Sequence, residues 1–141
     1  MQITLKCGYS NMDFDKVTSI LSESFWSPGI KSDEVKKAAA NSALLVGAFK
    51  EDGEQIAYGR VISDKTRFAY LTDFCVEEKY RRTGIGQKMV AYVLGHDELA
   101  DVYQWLLITK DAHGVYKKQG FSVISRPLDY MEIREPRPKD R

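Results

Sequence analysis

Residues 43 to 76 hold three apolar, strand-like runs separated by turns too short to contain a crossover. ALLVGAF is joined to QIAYGRVIS through KEDGE, and SDKTR then leads into FAYLTDFCV, residues 68 to 76. The Asp52-Gly53 pair inside KEDGE is a strong hairpin-turn signal. Parallel neighbours need a dozen or more connecting residues, so runs joined this tightly pair antiparallel, as a meander. Every other segment must then extend that sheet at its edges or cover its faces.

QITLKC near the start reads as a strand, with β-branched and polar residues alternating. Asn11 or Asp13 can cap a helix whose apolar positions Phe14, Val17, Ile20, Leu21 and Phe25 follow helical spacing. FWSPGIK breaks it at Pro28 and Gly29, and Ser32 is expected to cap a second helix with Asp33 and Glu34 in its first turn. After the meander, Ile85, Met89, Val90, Val93 and Leu94 fall on one helical face that ends near Gly95. VYQWLLIT, residues 102 to 109, reads as a strand, DAHGVYKKQ as a short helix, and GFSVIS and DYMEIR as two last strands. The order implies one mixed sheet with helices on its faces, in a single domain over residues 1–134. The polar tail EPRPKDR, residues 135–141, is expected to be flexible.

The chain of 141 residues is long enough to bury a core, and 43% hydrophobic with 29% charged residues is an ordinary globular balance. A formal net charge of +1 and the lack of a basic, aromatic surface motif argue against nucleic acid as a partner. No apolar run approaches the ~20 residues of a membrane span, and MQITLKCGYS lacks a signal-peptide pattern. Cys7 and Cys75 stand in no metal or redox spacing, so no metal is expected and a reducing cytoplasm fits. His96 and His113 have no ligand partners in sequence and read as surface or capping residues.

RRTGIGQKM, at the junction of the third meander strand and the following helix, is the segment most suggestive of chemistry. A helix N-terminus offers unpaired N–H groups and a positive dipole end, and glycine lets an anion approach that backbone. The alternative is a turn needing φ > 0, flanked by solvated arginines. The segment is not a P-loop, for no Gly-Lys-Ser/Thr follows, and Met89 stands where a dinucleotide fingerprint has its third glycine. Arg81-x-x-Gly84-x-Gly86 instead resembles the pyrophosphate loop of the GNAT superfamily of acyl-CoA-dependent N-acetyltransferases, Arg/Gln-x-x-Gly-x-Gly/Ala. TKDAHGVYKKQGF resembles that family's second signature, Asn-x-x-Ala-x-x-x-Tyr-x-x-x-Gly-Phe, with Ala112, Tyr116, Gly120 and Phe121 in register and Thr109 in place of Asn. The order of elements is similar to the GNAT fold from about Gln2 to Arg134: an α/β (α+β) chain with a mixed, mostly antiparallel central sheet and about four helices.

The resemblance implies acetyl-CoA as cosubstrate, its pyrophosphate on the loop formed by Arg81, Arg82, Thr83, Gly84, Ile85, Gly86 and Gln87. Arg81, Arg82 or Lys88 would add charge-assisted bonds, unless Arg82 and Lys88 are merely solvated. The pantetheine arm would pair with the backbone of Phe74, Cys75 and Val76, much as an added strand does, and Thr109 and Ala112 would lie beside it. Cys75 reads as a small buried residue rather than a nucleophile, since nothing near it in sequence would activate a thiolate. Tyr116 matches the family's general acid, a phenol of pKa ≈ 10 facing a thiolate of about 8.5; its other reading is an aromatic packed on the sheet.

Asp73 interrupts an apolar strand. It is either a base whose pKa burial raises, a carboxylate paired with an arginine, or a bulge residue bonded to backbone. Phe25, Trp26 and Tyr70, with Asp73, are the expected acceptor-site residues, Trp26 foremost for its place beside the Pro-Gly break, and Trp105 lies on a strand near the expected cleft; core packing is the other role open to each aromatic. The acceptor implied is a primary amine of a small molecule or amino acid. A protein lysine or N-terminal acceptor, or a non-catalytic acyl-CoA-binding module, are the rivals, and homodimers are common in the family.

Overall fold

The computed structural model describes Met1–Arg141. Five strands form one sheet in the order of the chain: β1 (Ile3–Cys7), β2 (Leu44–Lys50), β3 (Gln55–Ser63), β4 (Ala69–Val76) and β5 (Trp105–Leu107). The first four pair antiparallel and β5 joins β4 in parallel. The parallel step from β4 to β5 is made through a connection that contains a helix, as a crossover requires, and the antiparallel step from β1 to β2 contains two. The helices are α1 (Phe14–Ser22), α2 (Ser32–Ala40), α3 (Ile85–Leu94) and α4 (His113–Lys117). None is long and apolar enough to cross a membrane.

The helices cover both faces of the sheet, which is why LLVGAF is apolar throughout instead of alternating. Leu44, Val46 and Ala48 meet Ile85, Met89, Val90 and Val93 of α3 on one face. Leu45 and Phe49 meet Phe14, Val17 and Leu21 of α1 and Val35 and Ala39 of α2 on the other. Asp13 caps α1 by accepting from the Lys16 N–H at 3.2 Å. Fully buried Gln55 fixes that cap to the sheet: its carbonyl accepts from the Asp13 N–H at 2.8 Å, while its amide donates to the Ala57 carbonyl at 3.0 Å.

Four expectations are corrected. Helix α1 stops at Ser22, because the Ser22 and Ser24 hydroxyls donate back to the Ser19 and Leu21 carbonyls and compete with continued helix. Phe25 therefore lies outside the helix, 63% exposed. Lys31 rather than Ser32 occupies the cap position of α2, without a side-chain bond, although Asp33 and Glu34 do lie in the first turn. GFSVIS and DYMEIR are not strands; only a single 3-10 turn, Pro127–Asp129, interrupts irregular chain there. Their alternating pattern finds no paired edge, and Leu128, Met131 and Ile133 remain almost wholly exposed.

Strand β4 carries a bulge. Tyr58 pairs with Cys75 but Arg60 pairs with Thr72, so Asp73 and Phe74 together oppose Gly59. Asp73 takes φ of 59°, in the left-handed region that Asp tolerates better than most residues. Gly59 is required, because a Cβ there would come within 2.8 Å of the Phe74 ring. Gly59→Ala should therefore lower stability by about 1–3 kcal/mol through overpacking, read as a reduced urea midpoint. A neutral effect would mean the bulge relaxes freely.

Candidate active site

The site begins where β4 and β5 part. Their pairing covers only Ala69–Trp105, Tyr70–Leu106 and Leu71–Leu107. Beyond Leu71, β4 continues to Val76 with no strand on that side, leaving an open backbone edge at Phe74, Cys75 and Val76. Trp105 lies on β5 and packs against the core cluster that includes α3, the core role open to it.

The chain leaves Val76 through a 3-10 turn, Glu78–Tyr80, into the loop that precedes α3. The Arg81 Nε donates to the Val76 carbonyl at 3.0 Å and the Thr83 hydroxyl to the Tyr80 carbonyl at 2.6 Å, folding the loop back on the strand end. Arg82 (φ 64°) and Gly84 (φ 84°) both adopt left-handed conformations, and Gly84 is the N-cap of α3. The N–H groups of residues 82 to 87 donate to no protein acceptor; the next one, of Lys88, reaches the Gly84 carbonyl at 3.1 Å. A Cβ at Gly86 would meet nothing within 4 Å, so packing within the protein does not require glycine there. Unpartnered N–H groups, the positive end of a ten-residue helix and two flanking arginines suit a diphosphate. Lys88 is exposed on the helix.

On the far side of the opening, Gln119 donates to the Gln87 side chain at 2.8 Å, tying the end of α4 to the first turn of α3. The Thr109 hydroxyl accepts from the Ala112 N–H at 3.0 Å, so the residue that stands in place of Asn holds the turn entering α4. Tyr116 on α4 packs edge-on against Phe121 with ring centroids 5.8 Å apart. Burial raises its phenol pKa above the ordinary value and is the one influence on it. His113 is exposed, and His96 caps a 3-10 turn by accepting from the Glu98 N–H at 3.1 Å.

The α1–α2 face of the bulge gathers the other candidates. Asp73 accepts from the Arg60 Nε at 2.6 Å through one carboxylate oxygen and from the Trp26 indole N–H at 3.1 Å through the other. Of the three readings of Asp73, pairing with arginine at a bulge is thus the arrangement found. Trp26 stacks edge-on with Phe25 at 5.1 Å, and the Lys110 ammonium lies 5.4 Å from the Phe25 ring centre. Tyr70 is partly buried; burial raises its phenol pKa, helped by Asp73 and opposed by the charges of Arg60 and Arg134. Cys75 is buried, and desolvation, with a smaller push from Asp73, drives its thiol far above the ordinary range, which leaves no thiolate for nucleophilic attack.

Arg60 is the residue that sequence reasoning missed. Its signal was present, for it interrupts apolar QIAYGRVIS as Asp73 interrupts FAYLTDFCV, on the strand that the short SDKTR turn makes a neighbour. The seven-residue tail also bears on this region. Arg137 holds Glu34 of α2 through two bonds of 2.9 and 3.1 Å, and the Lys31 ammonium donates to the Asp140 carbonyl at 3.4 Å. No group of three or more His, Cys, Asp or Glu side chains is arranged to hold a metal.

Residues 42–123 match the profile of the acetyltransferase (GNAT) domain. A GNAT-family acetyltransferase structure from Xanthomonas campestris superposes with a TM-score of 0.89 at 32% identity, over 96% of this chain and 95% of that one. A GNAT-family acetyltransferase of Streptococcus pneumoniae follows at 0.74 and 22% identity, over 97% of this chain and all (100%) of that one. A Clostridium acetobutylicum acetyltransferase solved with acetyl-CoA gives 0.69 at 18% identity, over 94% of this chain and 96% of that one. The last two likenesses speak for the fold alone. Among curated protein sequences, none matches. The domain profile spans more than half of the chain and the Xanthomonas structure follows it almost end to end, and on both grounds the chain belongs to the GNAT family of acetyltransferases.

Proposed function

We propose that this acetyltransferase moves an acetyl group from acetyl-CoA to a primary amine of a small molecule or amino acid, by direct attack with both substrates bound. The observation that carries the reading is the run of N–H groups from Arg82 to Gln87 without protein acceptors, beside a Gly86 whose missing Cβ leaves the approach open. Those donors suit the cosubstrate's pyrophosphate. The unpaired edge at Phe74, Cys75 and Val76 suits the amide-bearing pantetheine arm, which can add to it as a strand would. Thr109 and Ala112, which are bonded to each other in the turn entering α4, would lie beside that arm.

Acetyl-CoA supplies an activated thioester, and the chain's own groups then have three tasks. A backbone N–H at the edge can bond the carbonyl oxygen as it gains charge. Tyr116, kept protonated by burial, can donate its proton to the departing sulfur. The acceptor ammonium must lose a proton before it can attack. Both Asp73 oxygens already accept bonds, which favours water for that step and gives Asp73 a positioning role. Phe25, Trp26 and Tyr70 would line the acceptor pocket.

The test is the melting temperature with acetyl-CoA, with ATP and NAD as controls. Ligand at a hundred times its Kd adds about 2.7 kcal/mol, or roughly 9 °C for a chain of this size. Selective stabilisation by acetyl-CoA, followed by amine-dependent release of CoA thiol, is expected. Stabilisation without turnover on any amine would point to an acyl-CoA-binding module, and no stabilisation of folded protein would sink the reading.

A further inference from the structure

We infer that the acceptor is an amine that also carries an anionic group, a carboxylate or a phosphate monoester, and that Arg60 holds that group. The inference rests on the acetyl-transfer reading above and concerns the acceptor side of the same site.

Arg60 commits only part of its guanidinium to the protein. Nε donates to Asp73 at 2.6 Å and Nη1 reaches the Ser42 hydroxyl at 3.4 Å, whereas Nη2 has no protein partner and is not among the buried unpartnered atoms. A planar fork with free donors is suited to a carboxylate or phosphate, and its position is fixed from behind by Asp73. Asp73 is in turn kept from swinging by the Trp26 indole.

The charge balance points the same way. Arg60 already neutralises Asp73, leaving that carboxylate little attraction for a substrate ammonium. Arg134 acts on Tyr70 beside it, and the Lys110 ammonium lies over Phe25. The next acid within influence of Arg60 is Glu34, and Arg137 grips both of its oxygens. An amine entering beside Arg60 as a bare cation therefore meets a carboxylate that is already paired, with further positive charge acting on Tyr70 and lying over Phe25. An amine that brings its own negative charge offsets both its desolvation and that repulsion. Polyamines, with several positive charges, are selected against by the same field.

The experiment compares amines that differ only in the anion: tyrosine with tyramine, phosphoethanolamine with ethanolamine, and spermidine as the polycation. Two readouts are used, the additional melting shift each causes in CoA-saturated protein and the rate of CoA thiol release with acetyl-CoA. The member that carries the anion is expected to exceed its partner without it, a bare ammonium cation, by roughly 10–100-fold in kcat/KM or affinity. Arg60→Lys keeps the charge but loses the fork and should reduce that ratio. Arg134→Ala, at an exposed position, should reduce it while leaving the fold and the acetyl-CoA shift in place, which covers the case in which Arg60 variants do not fold. Tyramine, ethanolamine or spermidine equalling the anion-bearing members, or an unchanged ratio in the folded variants, would overturn the inference. Absence of any acetyl-CoA shift in the unaltered protein would instead condemn the acetyl-transfer reading.

Discussion

Tyr116→Phe is expected to lower kcat roughly 10²-fold while leaving the melting shift on acetyl-CoA intact. General acids contribute about 10²–10⁴-fold, and in the role proposed for it Tyr116 belongs near the lower end, because burial raises its pKa and makes the phenol a weaker acid. The same burial keeps it protonated over the whole neutral range, as a proton donor must be. Loss of the hydroxyl leaves the edge contact with the Phe121 ring in place, so stability should change by no more than about 0.5 kcal/mol. The comparison to make is single-turnover rate against melting temperature. A fall in both would mark Tyr116 as a packing residue, and an unchanged rate would hand protonation of the sulfur to solvent.

Gly86→Ala should move stability and ligand affinity in opposite directions. Gly86 lies in the first turn of α3 and a Cβ there meets no protein atom, so alanine should raise the stability of the free protein by about 0.5–1 kcal/mol. The same methyl stands on the backbone surface that the diphosphate is proposed to approach. Losing one or two charge-assisted bonds there, each worth about 1.5–3 kcal/mol, should weaken acetyl-CoA roughly 10–100-fold or more. Calorimetry on the variant, with its melting curve, separates the two effects. A stabilised variant that binds acetyl-CoA as tightly as before would remove the pyrophosphate from this loop.

The meander was legible because short turns leave antiparallel pairing as the one solution, and β3 runs over the residues that its apolar pattern marks, Gln55–Ser63. Helix α3 was equally plain, with Ile85, Met89, Val90 and Val93 all buried. The C-terminal strands failed because β propensity reports how well a residue fits a paired, half-buried surface, and DYMEIR finds none. Phe25 failed for a local reason, the serine hydroxyls that end α1 three residues earlier. In the candidate site, the turn at Gly84 and the start of α3 could be placed from residue types, because they depend on local backbone conformation. The Arg60–Asp73–Trp26 cluster could not. Its members are 13 and 47 residues apart in the pairs that bond, and they meet only through the turn, the bulge and the α1–α2 loop together.

The bulge at Asp73 and Phe74 works as a parity switch within one strand. Before it, the odd-numbered Ala69 and Leu71 face α3; after it, the even-numbered Phe74 and Val76 do, and Cys75 turns to α1 and α2. An unbroken alternation would put Phe74 on the α1 and α2 side and Asp73 beneath α3, a carboxylate in an apolar core. One extra residue thus lets a single strand leave an open backbone edge at Phe74, Cys75 and Val76 and still turn the Asp73 carboxylate to Arg60 and Trp26. For a designer, lengthening or shortening β4 by one residue on either side of Asp73 would exchange those two faces, whereas a change of two would restore them.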